Sequence, residues 1–401
     1  MPVMGEILQS IRVEFTFPVV FTEDVFAPDN PAFVRAISRL EPEKRHQVYF
    51  VIDAAVAAAH PRLVDSIRAY CAAHASSLKL LGEPRLVPGG EAVKNDFSHV
   101  MQLVEETNRL GIDRHSFMAV IGGGAVLDMA SFAAAVSHRS VRCVRLPTTV
   151  LSQDDSGVGV KSGVNLFGKK NYIGAFMPPF AVINDSRFLA TLQRRDTIAG
   201  MAEAVKVALI RDRAFFEELE ANAGRLAQGE LDPLRRLIRR AAELHMEHMR
   251  TGGDPFEMGS ARPLDYGHWT AHKLEVMSKH RLRHGEAVAI GMSLDALYAV
   301  KAGYLALPVA ERVLRLLETL GFTLWADELL SRDGAGQLHV LNGLREFREH
   351  LGGTLSITML RDIGRGFEVN AMDAERIVAS IHALRERAAA RVPVPIRSAA
   401  G

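Results

Sequence analysis

The sequence predicts an α/β half followed by an α-helical half. Three observations carry this. Short apolar runs at 47–52, 117–121 and 141–146 alternate with segments of helical spacing, as in a parallel sheet covered on both faces. Beyond about residue 188 the apolar positions recur almost entirely at helical spacing. A glycine triplet, Gly122–Gly124, follows one strand directly and opens a helix.

Taken in order, Val13, Phe15, Phe17, Val19 and Val20 alternate as in an edge strand, and Asn30-Pro31 opens a helix to about Leu40. The strand at 47–52 ends on Asp53, a helix at 63–73 and a strand near Leu80 follow, and Pro88-Gly89-Gly90 marks a turn. The strand 117–121 feeds the helix 125–136, and the strand 141–146 ends at Pro147-Thr148-Thr149. A last strand is expected at 181–183. Helices are expected at 189–210, 213–227, 233–249, 270–278, 287–302 and 309–320, the third with Asp232 as N-cap and Pro233 in its first turn. The domains implied are 1–187 and 188–401.

Composition limits the function. The 401 residues suffice for two cores, and 48% hydrophobic with 24% charged residues describes an ordinary globular chain. A net charge of +1 argues against nucleic acid or a membrane surface as partner, so anion binding must come from a local cluster. Two cysteines, Cys71 and Cys143, make no disulfide framework. With neither a signal-peptide pattern nor an apolar run of membrane-spanning length, a cytoplasmic location is expected.

Two stretches carry chemistry. Residues 265–286 contain His268, His272 and His284 near Asp265 and two glutamates, and His268 and His272 share one helix face. Two imidazoles with a distant carboxylate suit a divalent metal such as zinc, although polar residues at helix ends can look the same. Residues 152–176 combine many glycines with lysines, and a flexible cationic segment of that length reads as a binding loop. There Lys161, Lys170 and Asn171 can gather around a phosphate. The Gly122–Gly124 turn suits a pyrophosphate but is neither the spaced dinucleotide fingerprint nor a P-loop.

These segments together resemble the 3-dehydroquinate synthase superfamily of sugar phosphate cyclases. The matching pieces are 88–94, 122–128, 147–149, 153–165, 168–174, 202–206, Gly267-His268 with His272, and 284–286. The resemblance implies a Rossmann-like NAD-binding α/β domain plus an α-helical metal-binding domain, usually as a homodimer. It implies that Glu203, His268 and His284 hold zinc, with cobalt a possible substitute, and that Asp53, Glu91, Lys94, Gly123, Gly124, Asp128, Thr148 and Thr149 line NAD. Asp155, Lys206 and Glu257 would surround the reacting hydroxyls. Lys161, Asn171, His272 and Arg139 would face the substrate phosphate, Arg139 from the partner subunit, and Lys170 would lie beside phosphate and cofactor. The implied enzyme is a carbon–oxygen lyase that uses and regenerates NAD within one turnover.

The chain departs from the main branch where a carboxylate-bearing substrate needs cations. Glu247 and Ala261 stand at the places of a Lys and an Arg, with Arg262 displaced by one; Asp265 replaces an Asn, and the C-terminal Lys is replaced near His350. The segment 253–269 instead looks like the branch that cyclises sedoheptulose 7-phosphate to 2-epi-5-epi-valiolone or 2-epi-valiolone. A 3-dehydroquinate synthase is the alternative, and a metal-dependent polyol dehydrogenase a further one.

Overall fold

The computed structural model describes residues 6–167, 169–252, 256, 264–334, 336–350 and 355–390. Its N-terminal part is built on a seven-stranded sheet. The strands are β1 (Val19–Thr22), β2 (His46–Asp53), β3 (Leu78–Leu80), β4 (Arg85–Val87), β5 (Phe117–Gly122) and β6 (Arg142–Pro147), with a last strand at Ala181–Asp185. Between β6 and that strand lies an antiparallel hairpin, β7 (Lys161–Leu166) and β8 (Lys169–Phe176), which makes Ala181–Asp185 β9. The order is β1-β9-β6-β5-β2-β3, with β4 beside the second half of β2, and every pairing is parallel.

The two-residue period explains why these runs are wholly apolar. Val48, Phe50, Ile52, Phe117, Ala119 and Ile121 pack in one core. Tyr49, Val51, Met118 and Val120 point the other way into a second. The helices covering the faces are α1 (Ala32–Ser38), α2 (Ala54–Ala59), α3 (Leu63–Ala73), α4 (Ser98–Arg109) and α5 (Gly124–Val136).

The second part holds α6 (Arg194–Arg211), α7 (Arg213–Ala227), α8 (Leu231–Thr251), α9 (His268–Met277), α10 (His284–Lys301), α11 (Leu307–Leu320), α12 (Asn342–His350) and α13 (Ala374–Ala390) around one apolar core. Among the described residues no helix is long and apolar enough to cross a membrane, and both cysteines are buried and free.

Four expectations are corrected. The first strand starts at Val19, not Val13, because only Val19–Thr22 find partners on β9, and Val13 and Phe15 are exposed. The segment 152–176 is not a flexible loop but a turn followed by the β7–β8 hairpin. Gly163 and Gly174 are opposed there, and a Cβ on either would meet the facing strand's carbonyl oxygen at 2.6–2.7 Å. Helix α8 begins at Leu231 with Glu230 as N-cap, so Asp232 lies within its first turn. The second part also contains a hairpin, β10 (Ile357–Asp362) and β11 (Arg365–Val369), which its helical pattern concealed.

Candidate active site

Glu203 and Lys206 stand one turn apart on α6 and are both buried. His268 opens α9, followed on the same face by His272 and Glu275. His284 opens α10. Close backbone approaches bring the three helices together. Gly267, with φ +80°, would place a Cβ 2.5 Å from Met292 N, and a Cβ on Gly291 would lie 2.0 Å from Gly267 O. A Cβ on Gly285 would lie 1.8 Å from Ala199 O on α6.

As a result one Glu203 oxygen lies 3.5 Å from His268 Nε2 and 3.4 Å from His284 Nε2. The ligand atoms of Glu203, His268 and His284 all fall within 4.8 Å of one another. The outer nitrogens are engaged: His284 Nδ1 is 3.0 Å from Glu275 Oε2, and His268 Nδ1 is 3.2 Å from Tyr266 O. In the neutral form each ring can keep its proton on Nδ1, donating outward, and turn Nε2 towards Glu203, the tautomer a metal ligand needs; burial keeps His268 in that form, whereas His284 must first lose a proton. Both Glu203 oxygens are buried and neither makes a well-aligned hydrogen bond, although the Lys206 ammonium is in ionic contact. A buried carboxylate so placed calls for a cation, and one carboxylate with two imidazoles suits zinc or cobalt.

The electrostatics agree. Burial favours neutral Glu203, yet Lys206, His268 and His284 hold it well below the usual carboxylate range. Burial and the Lys206 ammonium push His268 down to about 4. Against burial, contacts to Glu203 and Glu275 push His284 up to about 9. Desolvation by the surrounding protein and the two neighbouring imidazoles disfavour the protonated form of His272.

On the sheet side, Asp53 ends β2, accepts from Ala55 N at 2.8 Å as the cap of α2, and lies where a Cβ on Gly89 would collide with it. Gly123 is the N-cap of α5 and Gly124 its first residue; a Cβ on Gly124 would meet Ser156 Oγ at 2.8 Å. This crowded strand-to-helix turn presents backbone amides of the kind that bind phosphates. Thr148 Oγ1 is buried without a partner, and Thr149 is bonded to Ser152. Buried Lys94 ties α5 to the β7–β8 hairpin: it lies 2.7 Å from Asp128 and 3.8 Å from Glu91, and it donates to Asn171 Oδ1. Asn165 donates to Glu91 at 3.1 Å and accepts from the Asn171 amide at 2.8 Å. Lys170 reaches Glu275 at 3.2 Å, tying the hairpin to the histidine helix.

The sequence matches a known family. The families described as 3-dehydroquinate synthase N-terminal and 3-dehydroquinate synthase C-terminal match residues 85–199 and 200–339. The chain belongs to the 3-dehydroquinate synthase family. It is accordingly a sugar phosphate cyclase, a carbon–oxygen lyase dependent on NAD and a divalent metal. It is 32% identical over 357 residues to a 3-dehydroquinate synthase of Ruegeria sp. (strain TM1040), covering 88% of this chain and 92% of that one. It is 33% identical over 322 residues to the 2-epi-5-epi-valiolone synthase of Actinoplanes sp. (strain ATCC 31044 / CBS 674.73 / SE50/110), covering 78% of each. Among solved structures it resembles ValA, the 2-epi-5-epi-valiolone synthase from Streptomyces hygroscopicus subsp. jinggangensis 5008 with NAD+ and Zn2+ bound. That match has a TM-score of 0.82 and 28% identity, and it covers 95% of this chain and 99% of the other.

Arg139 stands apart from the cleft residues, exposed on a turn where His138, Arg139 and Ser140 all have positive φ. Glu257, Ala261, Arg262 and the His350 side chain lie outside the described residues. Glu247 is half-exposed on α8 and paired with Arg250 at 2.7 Å, so its charge is partly answered. Three residues were not foreseen as site members. Glu275 orients His284, and the 268, 272, 275 spacing was the available signal. His245 Nδ1 on α8 lies 2.9 Å from Asp155 Oδ1, a contact across elements that has no sequence signature. Asp154 is buried with neither oxygen hydrogen-bonded, and burial beside Asp155 and Glu203 raises its pKa well above the ordinary value.

Proposed function

We propose that this member of the 3-dehydroquinate synthase family cyclises a neutral-headed heptulose phosphate, sedoheptulose 7-phosphate, to 2-epi-5-epi-valiolone or its epimer 2-epi-valiolone. The observation that carries the reading is Asp265. Its carboxyl accepts from Thr358 Oγ1 at 2.6 Å, lies close enough to feel the Lys206 ammonium, and is pushed by burial up to about 6. An aspartate there is ionised at neutral pH and repels a substrate carboxylate, whereas a hydroxymethyl group can donate to it.

In this reading Glu203, His268 and His284 hold the metal, and the glycine turn with Asp53, Glu91, Lys94, Asp128, Thr148 and Thr149 holds NAD. When bound, the metal acidifies adjacent substrate hydroxyls and NAD oxidises the ring reversibly. Lys161, Lys170, Asn171 and His272 hold the phosphate, which leaves once a neighbouring ketone has acidified the ring C–H. Against burial, His245 keeps Asp155 below its ordinary pKa, so Asp155 is ionised and can take a proton from a hydroxyl. Lys206 stays protonated despite burial because Glu203 and Asp155 surround it, and it balances that charge. By the family resemblance Glu257 would join them around the hydroxyls. The sugar loses phosphate, opens and recloses as a carbocycle with no net redox change.

The enzyme acts as a homodimer in which Arg139 serves the partner's phosphate site. Dehydroquinate formation is the second reading, favoured by the Ruegeria relative and by Arg262 beside the expected position. A polyol dehydrogenase is separated from both by one assay. With sedoheptulose 7-phosphate, stoichiometric phosphate release without sustained near-ultraviolet absorbance of reduced nicotinamide supports a cyclase. Steady accumulation of reduced nicotinamide without phosphate release refutes one.

A further inference from the structure

Arg145 on β6 is 1% exposed, and among the described residues it makes no ion pair. Asp128, an acid near enough to influence, is already engaged by Lys94 at 2.7 Å. The Arg145 guanidinium donates instead to Ser131 Oγ at 3.0 Å and to the carbonyls of Gly157 at 3.3 Å, Gly159 at 2.7 Å and Lys161 at 3.1 Å. Burying an unpaired guanidinium is expensive, and an apolar side chain would fill the same core at less cost. What the guanidinium adds is a rigid planar fork able to hold several acceptors at once, which an ammonium cannot reproduce.

Those acceptors are informative. The three carbonyls belong to alternate residues of the run that leaves Asp155 and arrives at Lys161. Ser131 lies on α5 one turn beyond Asp128. At the start of the run, a Cβ on Gly157 would come within 2.3 Å of Ser152 O, so that backbone has one way to lie.

We propose that Arg145 is a positioning residue for the phosphate site, clamping 157–161 so that Asp155 and Lys161 keep a fixed separation and the cofactor helix and substrate hairpin move as one body. The proposal rests on the reading of Lys161 as a phosphate ligand. The buried cation also adds positive potential beneath the segment that receives a dianion.

Hydrogen exchange read by mass spectrometry on the full-length protein loaded with NAD and zinc tests the clamp without any substrate. In Arg145→Gln, amides in 157–166 should exchange about tenfold faster or more while α6, α9 and α10 keep wild-type protection. Titration of the same samples with inorganic phosphate should show affinity weakened by about tenfold, with partial recovery in Arg145→Lys. Unchanged exchange in 157–166 overturns the proposal. So does protection lost evenly through the molecule, or a faster segment with unaltered phosphate affinity. If Arg145→Gln does not fold, Arg145→Lys decides by the same two readouts; if neither folds, Arg145 serves the fold and the positioning claim is wrong. A wild-type protein that fails to bind phosphate refutes the reading of Lys161, while the exchange pattern still decides whether the clamp exists.

Discussion

In the proposed function Asp265 is the residue on which substrate choice turns. Replacing it by Asn removes the charge and keeps the acceptor, so Asp265→Asn should raise kcat/KM for the carboxylate-bearing heptulosonate phosphate relative to sedoheptulose 7-phosphate by about tenfold or more. Burial places its carboxyl at about 6, so the repelling form exists above that pH and is lost as pH falls through it. Discrimination measured between pH 5 and 8 should therefore widen with rising pH; a flat ratio would remove Asp265 from the argument. The metal site has its own sign. Ligation needs neutral His284, whose carboxylate neighbours raise it to about 9, so zinc must displace a proton at neutral pH. Zinc affinity, measured by chelator competition, should climb by about tenfold per pH unit from 7 towards 9. His284→Ala should bind zinc hardly at all, and a metal-replete His284→Ala protein would exclude this ligand set. His268 and His284 stood out as imidazoles because their motifs lie at the starts of single helices, whereas Glu203, on a third helix, came only with the family resemblance. Arg145 and His245 were not legible, because each acts on a segment that only the fold brings to it.

At the scale of elements, the site exists because α6, α9 and α10 approach at backbone distance. Gly285→Ala would set a methyl 1.8 Å from Ala199 O, so α10 must retreat from α6 and carry His284 away from Glu203. The expected cost is about 1–3 kcal/mol of stability together with reduced zinc occupancy, read by thermal melting and metal analysis. A Gly285→Ala protein with wild-type melting and full zinc would show that the glycine contact does not set the site. Strands buried on both faces were legible as continuous apolar runs, and β2, β5 and β6 lie within a residue or two of their expected bounds. The β7–β8 hairpin was hidden because its glycines serve cross-strand closeness while resembling loop composition. The short strands β3 and β4 share β2 end to end, and only the first had enough apolar residues to read.

For the whole molecule, in the proposed reading the glycine turn at the sheet's carboxyl edge would hold the cofactor, and Glu203, His268 and His284 of the helical part would hold the metal. If Arg139 works in the partner's site, mixing inactive Arg139→Ala and Lys161→Ala proteins under conditions of subunit exchange should restore activity, since each hybrid dimer then has one intact site. No recovery, with exchange shown by mass, would place Arg139 outside the phosphate site. The proposed function is closure of a carbocycle from a neutral-headed heptulose phosphate. Its most direct test gives the zinc- and NAD-loaded enzyme sedoheptulose 7-phosphate and the heptulosonate 7-phosphate together at equal concentration and identifies the cyclic products by mass. The expected result is a valiolone-type cyclitol in excess by about a hundredfold or more; dehydroquinate as the dominant product would contradict the account.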